Sequence, residues 1–506
     1  MDSGYWVLAT VGIPLIAAAM IFFVPETPQG KDIVRMFSVA VGAVLFALSA
    51  YIFFAYELGT EGGYQFVIRY NWLENVGFLG ENGISLYFGV DGIAAPMILL
   101  NGIVCFGGAL ISWKIEHHNK DFFILFWVLV SGVFGTFSAL DLFFFFFWYE
   151  VAVLPMYLLI AIWGSSSFFE TFGRTKEYSA MKLTIMLVAA SILIFLGIFA
   201  VFHEAGVGTF DLRVLYDEQN RLDPDTQKVI FPLFAIGCGV LAGLWPFHTW
   251  SPDGHVAAPT AVSMLHAGVL MKLGAFGIIR LGMQLLPEGA EFWMPGLMIL
   301  ATFNVVYGAM AATAQRDFKY MIGYSSVSHM GLVILGLATM NTIGVTGAVL
   351  QMFAHGVMTA TFFAMVGSVY DQTHTRDMRL YSGIVSRMPL FVFFFGVAGL
   401  ASLGLPGLAG FVAEFHIFLG AFKTYPWAAA LGVLGAALTA VYILRMMAMA
   451  MFGEPDTRFT DLKEMTYLER ATGVLMLAFM LFMGLWPAPF IDRIQETVRN
   501  IPGVTS

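Results

Sequence analysis

The chain has 506 residues, of which 59% are hydrophobic and only 12% charged, and its mean hydropathy is +0.79. Soluble domains carry about 25% charged residues, so the composition excludes a soluble enzyme and describes an integral membrane protein. The formal net charge of −9 is spread over polar connections and gives no basis for a nucleic-acid partner.

A membrane-crossing helix needs about 20 mostly apolar residues. In chain order, the runs 5–24, 33–56, 90–113, 121–139, 141–163, 179–202, 229–246, 258–282, 292–314, 320–339, 343–369, 389–408, 411–451 and 471–490 are the candidates. The first lacks a basic flank and a small-residue cleavage site, so it reads as a span rather than a signal peptide. The run 411–451 is too long for one crossing, so Lys423–Pro426 divides it and 411–422 becomes the second half of a broken twelfth helix. The expected fold is all-α and polytopic, with about fourteen transmembrane helices. The longest polar connections, 57–83, 203–228 and 452–470, are too short to build a core of their own.

Orientation follows from Lys and Arg, which concentrate in cytoplasmic loops. With both termini outside, Lys31, Arg35, Lys114, Lys120, Arg174, Lys176, Lys182, Arg316, Lys319, Arg376, Arg379, Arg387, Arg458, Lys463 and Arg470 fall inside. Only Arg69, Arg213, Arg221, Lys228, Lys423, Arg493 and Arg499 fall outside.

Two apolar regions are interrupted. Trp245-Pro246 and then Ser251-Pro252-Asp253-Gly254 break one, and Gly404-Leu405-Pro406-Gly407-Leu408-Ala409-Gly410 breaks the other. Breaks at membrane depth are tolerated where they are buried in protein or line a watery cavity, and paired breaks point to an inverted-repeat transporter. The expected organisation is helices 1–3 in residues 1–120, a five-helix repeat with a broken seventh helix in 121–290, and a second with a broken twelfth helix in 291–452. Residues 453–506 hold an inner amphipathic connection and the last helix. The bland alternative is that Gly and Pro are common in membrane helices.

Ionisable side chains inside spans are expensive and mark pathways for ions or protons. Glu150 lies mid-span, five residues before Pro155, which withholds its backbone donor from the Val151 carbonyl and loosens the helix beside the carboxylate. A structural hydrogen bond is its competing reading. Lys272 lies deep within its span, too far from either end to snorkel easily. Glu414 follows the glycine break and reads either as a relay acid or as a cap on the second half-helix. His248, His266, His329 and His355 lie in or beside spans; each alone reads as a satisfied core residue, and together with buried acids and a lysine they read as relay members. Gly237-Cys238-Gly239 lies inside a span and is no dinucleotide loop. His117-His118 reads as solvated, and Cys105 and Cys238 lack a CxxC partner, so metal ligation is unsupported.

The segments Trp148-Tyr149-Glu150 through Pro155, Pro246-Phe247-His248 through Pro259-Thr260, and Leu405-Pro406-Gly407 through Glu414-Phe415 resemble the M-subunit (subunit 4) family of the proton-pumping NADH:quinone oxidoreductases, complex I. That family is similar to Mrp-type cation/proton antiporters and membrane-bound hydrogenases, and the resemblance covers nearly the whole chain. It implies two inverted five-helix repeats, each with a half-channel around a broken helix. By position, Glu150 matches the fifth-helix glutamate, Lys272 the eighth-helix axial lysine and Glu414 the twelfth-helix acid. His329 and His355 match the central histidines. The resemblance implies a translocating subunit without redox chemistry or a cofactor of its own, with flavin, iron–sulfur clusters and quinone in partner subunits. It also implies other membrane-arm subunits (the L-, N- and K-type) as partners, and a bacterial inner membrane. One departure stands out: Leu241 occupies the position of the family's seventh-helix lysine. The competing functions are an Mrp-type or hydrogenase-type subunit and a non-pumping structural subunit.

Overall fold

The computed structural model describes residues 3–60, 63–80, 83–168, 173–455 and 457–505. Its helices are α1 (Tyr5–Phe22), α2 (Pro28–Ala55), α3 (Ala94–Ile111), α4 (Asn119–Ser138), α5 (Leu142–Trp163) and α6 (Lys176–Ala205). After these come α7 (Pro224–Leu241), α8 (Trp250–Ala257), α9 (Thr260–Gln284), α10 (Pro287–Ala314), α11 (Phe318–Ala338) and α12 (Thr342–Thr373). The chain closes with α13 (Pro389–Ser402), α14 (Ala409–Thr424), α15 (Pro426–Met451), α16 (Tyr467–Leu485) and α17 (Ala488–Arg499). Twelve of them are long and apolar enough to cross a membrane. The pairs α7–α8 and α13–α14 supply two broken crossings, which completes the fourteen read from the sequence.

Local chemistry sets the ends. Asp141, Thr175, Asp223, Asp317, Asn341 and Thr466 cap α5, α6, α7, α11, α12 and α16 through their side chains, each satisfying helix-end donors. Pro28, Pro224, Pro287, Pro389 and Pro426 open helices, where a missing N–H is no loss. Pro426 therefore divides 411–451 where the sequence places the division.

A strand pair, β1 (Gln65–Leu73) and β2 (Ile84–Val90), forms an antiparallel hairpin on one face of the bundle. The α4–α5 and α6–α7 links are tied to it: Leu140 N donates to Tyr87 O at 2.9 Å, and Phe210 N donates to the carbonyl of Gly83, just ahead of β2, at 3.2 Å. Near the C-terminus, Thr505 N donates to Met340 O at 2.9 Å in the α11–α12 link. The N-terminal Gly4 abuts Val67 of β1. Both chain ends thus lie on the hairpin face. On the opposite face Arg376 holds Asp317 at 3.1 Å and donates to Val256 O at 3.0 Å, joining the α11, α12 and α8 ends.

The membrane-crossing stretches of α9 and α12 are buried throughout, and those of α3 and α11 nearly so, whereas in α1, α2, α6, α15 and α16 fewer than half of the residues are buried. Lipid tails give no hydrophobic drive between helices, so close packing through small residues holds the bundle. Gly268 of α9 and Gly356 of α12 face each other so closely that a Cβ on Gly356 would stand 2.7 Å from the Gly268 carbonyl oxygen. That approach brings the two axial helices together.

Three segments differ from the sequence reading. Ser251-Pro252-Asp253-Gly254 is helical within α8, not part of the break, because Pro252 falls in the first turn where its ring needs no donor. The break itself runs from Ala242 to Thr249 and contains Pro246, while Pro406 and Gly407 lie in the second break and Gly410 in the first turn of α14. The connection before α16 is irregular apart from a short turn at Thr457–Phe459; the amphipathic helix is α17, with Phe490, Ile494 and Val498 inward and Asp492 and Arg499 exposed.

Candidate functional site

Lys272 stands at the centre of α9, fully buried, directly after a widened π-helical stretch at His266–Leu270. Such stretches inside α-helices recur at functional sites. Its amine donates to the Ala267 carbonyl of that stretch and meets His355 Nδ1 of α12 at 2.8 Å. Among the described residues, no carboxylate forms an ion pair with it.

From His355 the line continues. The His355 and His329 rings stack with centroids 5.2 Å apart and planes 30° apart. His329 Nδ1 receives the Gln351 amide at 3.1 Å, and its Nε2 meets the Ser402 hydroxyl at 3.0 Å. Glu414 Oε1 lies 3.7 Å from the same Nδ1. An imidazole accepting from Gln351 at Nδ1 carries its proton on Nε2, toward Ser402. A doubly protonated ring presents Nδ1–H to Glu414 instead. The His329 ring can therefore hold its proton toward either side, as a relay requires.

Glu414 lies beyond the first turn of α14, whose cap residue Leu408 has no capping side chain. The carboxylate folds back on the break: a Cβ on Gly404 (φ +75°) would stand 2.7 Å from Glu414 Oε2. The helix-cap reading of Glu414 thus has no geometric support, and the glycine makes room for the acid.

A second cluster lies on the other side of Lys272. His266 and His255 pack with ring centroids 4.1 Å apart, and Trp250 stacks on His266 at 5.2 Å. His255 Nε2 meets Ser251 Oγ at 3.0 Å and Met271 Sδ at 3.3 Å, next to Lys272. His255 Nδ1 and both His266 ring nitrogens are buried without a protein partner.

Two of the sequence candidates stand apart. Glu150 of α5 is half-buried, with Ser191 of α6 as its polar neighbour, and Oε1 has no protein partner. Leu241, buried at the end of α7, offers it no charge. His248 sits in the α7–α8 break with both ring nitrogens unpaired by protein, its ring edge against Tyr307 at 5.0 Å.

The sequence reading passed over several residues. Lys319, counted with the loop charges, is buried one residue into α11, where its amine donates to Ala258 O at 2.7 Å. His255 was visible in the motif segment but not singled out. Lys182 and Asp253 pair at 2.8 Å, and Arg280 and Asp91 at 2.6 Å. Asn304 of α10 receives Trp245 N at 3.0 Å and donates to Gly243 O at 3.3 Å and Val327 O at 2.9 Å, closing the gap that the broken helix leaves. A polar residue in an apolar helix was the only signal for Asn304.

Residues 139–439 match the family model described as NADH:quinone oxidoreductase/Mrp antiporter, transmembrane. NAD(P)H-quinone oxidoreductase chain 4 of Microcystis aeruginosa is 36% identical over 89% of this chain and 79% of its own length. NADH-quinone oxidoreductase subunit M of Rickettsia typhi is 30% identical over 97% of both chains. Among solved structures, a chain of respiratory complex I from Thermus thermophilus superposes with a TM-score of 0.86 at 27% identity, over 98% of this chain and 99% of that one. A chain of the Mrp complex from Dietzia shares the fold at 18% identity, with a TM-score of 0.82 over 99% of this chain and 97% of that one. The chain therefore belongs to the NADH:quinone oxidoreductase/Mrp antiporter family, in its subunit M (chain 4) branch, as a multi-pass complex I membrane subunit.

Proposed function

We propose that this chain moves protons across a bacterial inner membrane as a non-redox subunit of a complex I-type oxidoreductase. The observation that carries this reading is the succession Lys272–His355–His329–Glu414 through the bundle, in which Lys272 meets His355 Nδ1, the His355 and His329 rings stack, and Glu414 lies 3.7 Å from His329 Nδ1. Electron transfer takes place in partner subunits, which hold the flavin, iron–sulfur clusters and quinone. This chain binds no cofactor, and its neighbours in the membrane arm are the L-, N- and K-type subunits. Residues 121–290 and 291–452 act as two repeats, one taking protons up and the other releasing them. The hairpin face, with both chain ends, is the outer one, and the face carrying Lys114, Lys120, Arg316 and Arg376 is the inner one.

Lys272 is the switching group. A lysine in a dry site can shed its proton when neighbouring charges change, and an arginine cannot. The Lys272 ammonium protonates His355 at Nδ1; His355 releases a proton from Nε2, which has no partner among the described residues, to His329; His329 passes one on to Glu414, and Lys272 is reloaded from the His255–His266 side. Glu150 acts through its charge from outside this line, since no side-chain contact joins it to Lys272.

The test is proton uptake per NADH oxidised, in vesicles carrying the whole complex. Lys272→Met and Lys272→Arg should both remove this subunit's share of the proton uptake per NADH, because the positioned proton-transfer group is gone, with the subunit still assembled. Full uptake by assembled Lys272→Met would falsify the relay and favour a structural subunit.

A further inference from the structure

A cavity of about 470 Å³ opens on the face opposite the hairpin, walled by Lys114, Trp163, Pro259, Asp371 and His374, with Lys319 among its lining residues. A water occupies about 30 Å³ of liquid, so the cavity admits a file of waters. Lys319 is only 3% exposed, and its amine donates to Ala258 O at 2.7 Å and Ser263 Oγ at 3.3 Å. Ser263 in turn donates to His255 O at 2.8 Å. Past Ser263 come the His255–His266 pair and then Lys272. Three ring nitrogens of that pair have no protein partner, and buried polar atoms are rarely left unbonded, so these nitrogens are open to a hydrogen-bond partner from the file.

We infer that Lys319 is the proton-loading group of this chain, taking protons from the inner cavity and passing them through His255 and His266 to Lys272. In each cycle the Lys319 ammonium gives one proton from Nζ inward, and a hydronium ion of the cavity returns one to the amine. This route needs neither Glu150 nor a cation at Leu241, and it accounts for a chain that keeps its axial line while lacking the seventh-helix cation. It rests on the proposed translocation.

The competing role of Lys319 is a fixed cation capping the last carbonyls of α8, which a permanent charge would fill equally well. The test uses Lys319→Cys in the whole complex, in inverted vesicles that expose the cavity. Cys105 and Cys238 are both buried, and the parent complex treated with the same reagents controls for thiols elsewhere. The introduced thiol is labelled with 2-aminoethyl methanethiosulfonate, which restores an ionisable amine, or with its trimethylammonium analogue, which installs a permanent cation. Lys319→Cys should lose this subunit's share of the proton uptake per NADH, the same loss as in Lys272→Met, and only the aminoethyl label should restore it. Restoration by both labels, by the trimethylammonium label alone or by neither overturns the inference, as does normal uptake by unlabelled Lys319→Cys. The two proposals fail separately: loss of uptake in Lys272→Met together with any of these patterns sinks only the Lys319 route.

Discussion

The Glu414 carboxylate lies against the bend at Gly404, 3.7 Å from His329 Nδ1, and it bonds no backbone amide at the start of α14. Its position is therefore not that of a helix cap, and it fits the proposed relay acid. Glu414→Gln keeps the shape and removes the proton site, so this subunit's share of the uptake per NADH should be lost. Glu414→Asn should be no better, although Asn is a good helix cap, because the first turn is several residues away. Normal pumping by the Asn variant, measured on assembled complex, would show that the acid is only structural. The sequence left these two roles open because distance from a glycine break does not say which way a side chain turns.

At the scale of elements, the broken α7–α8 crossing leaves backbone groups that its own helix cannot satisfy. Asn304 from α10 takes two of them, Trp245 N and Gly243 O, and its third bond goes to Val327 O of α11. Interhelical hydrogen bonds inside membranes average about 0.6 kcal/mol, so losing three amounts to about 2 kcal/mol. Full desolvation penalties would raise that figure. Asn304→Ala should therefore lower the unfolding midpoint of the detergent-solubilised complex measurably. Asn304→Asp, which keeps the acceptor for Trp245 N but neither donor, should fall between that variant and the parent. An Asn304→Ala protein that melts with the parent would mean the break holds itself open. The breaks were legible as clusters of Pro and Gly. The helical state of Ser251–Gly254 was not, because a proline is harmless in a first turn and disruptive elsewhere, and the sequence does not mark where that turn begins.

Across the whole molecule, one ion pair is sealed in the interior near the hairpin face. Arg280 of α9 holds Asp91, just ahead of α3, at 2.6 Å, with both side chains 2% exposed. Asp91 Oδ1 also receives Ile93 N at 3.2 Å and Ala94 N at 2.8 Å at the start of α3. Asp91→Asn retains an oxygen for those amides but leaves the guanidinium uncompensated, and breaking a buried pair in this way costs about 3–5 kcal/mol. The expected outcome is a sharp fall in thermal stability and in the amount of assembled subunit, with partial recovery in the double variant Asp91→Asn with Arg280→Gln. If the single variant is as stable as the parent, the pair does not hold the axial helix in place.

Hydrophobic run length alone determined that this is a polytopic helical membrane protein, because about 20 apolar residues are needed to span a bilayer and few other folds use so many such runs. The same arithmetic exposed Glu150, Lys272 and Glu414 as charges at depth, and Pro426 as a boundary. Which of those charges meet was decided only by packing. A helix turns 100° per residue, so contact between Lys272 and His355, far apart in sequence, depends on how closely α9 and α12 approach through Gly268 and Gly356. For the same reason Lys319, a loop charge by position, became a buried residue on a cavity, and Glu150, the most conspicuous residue in the sequence, was left without a partner on the line.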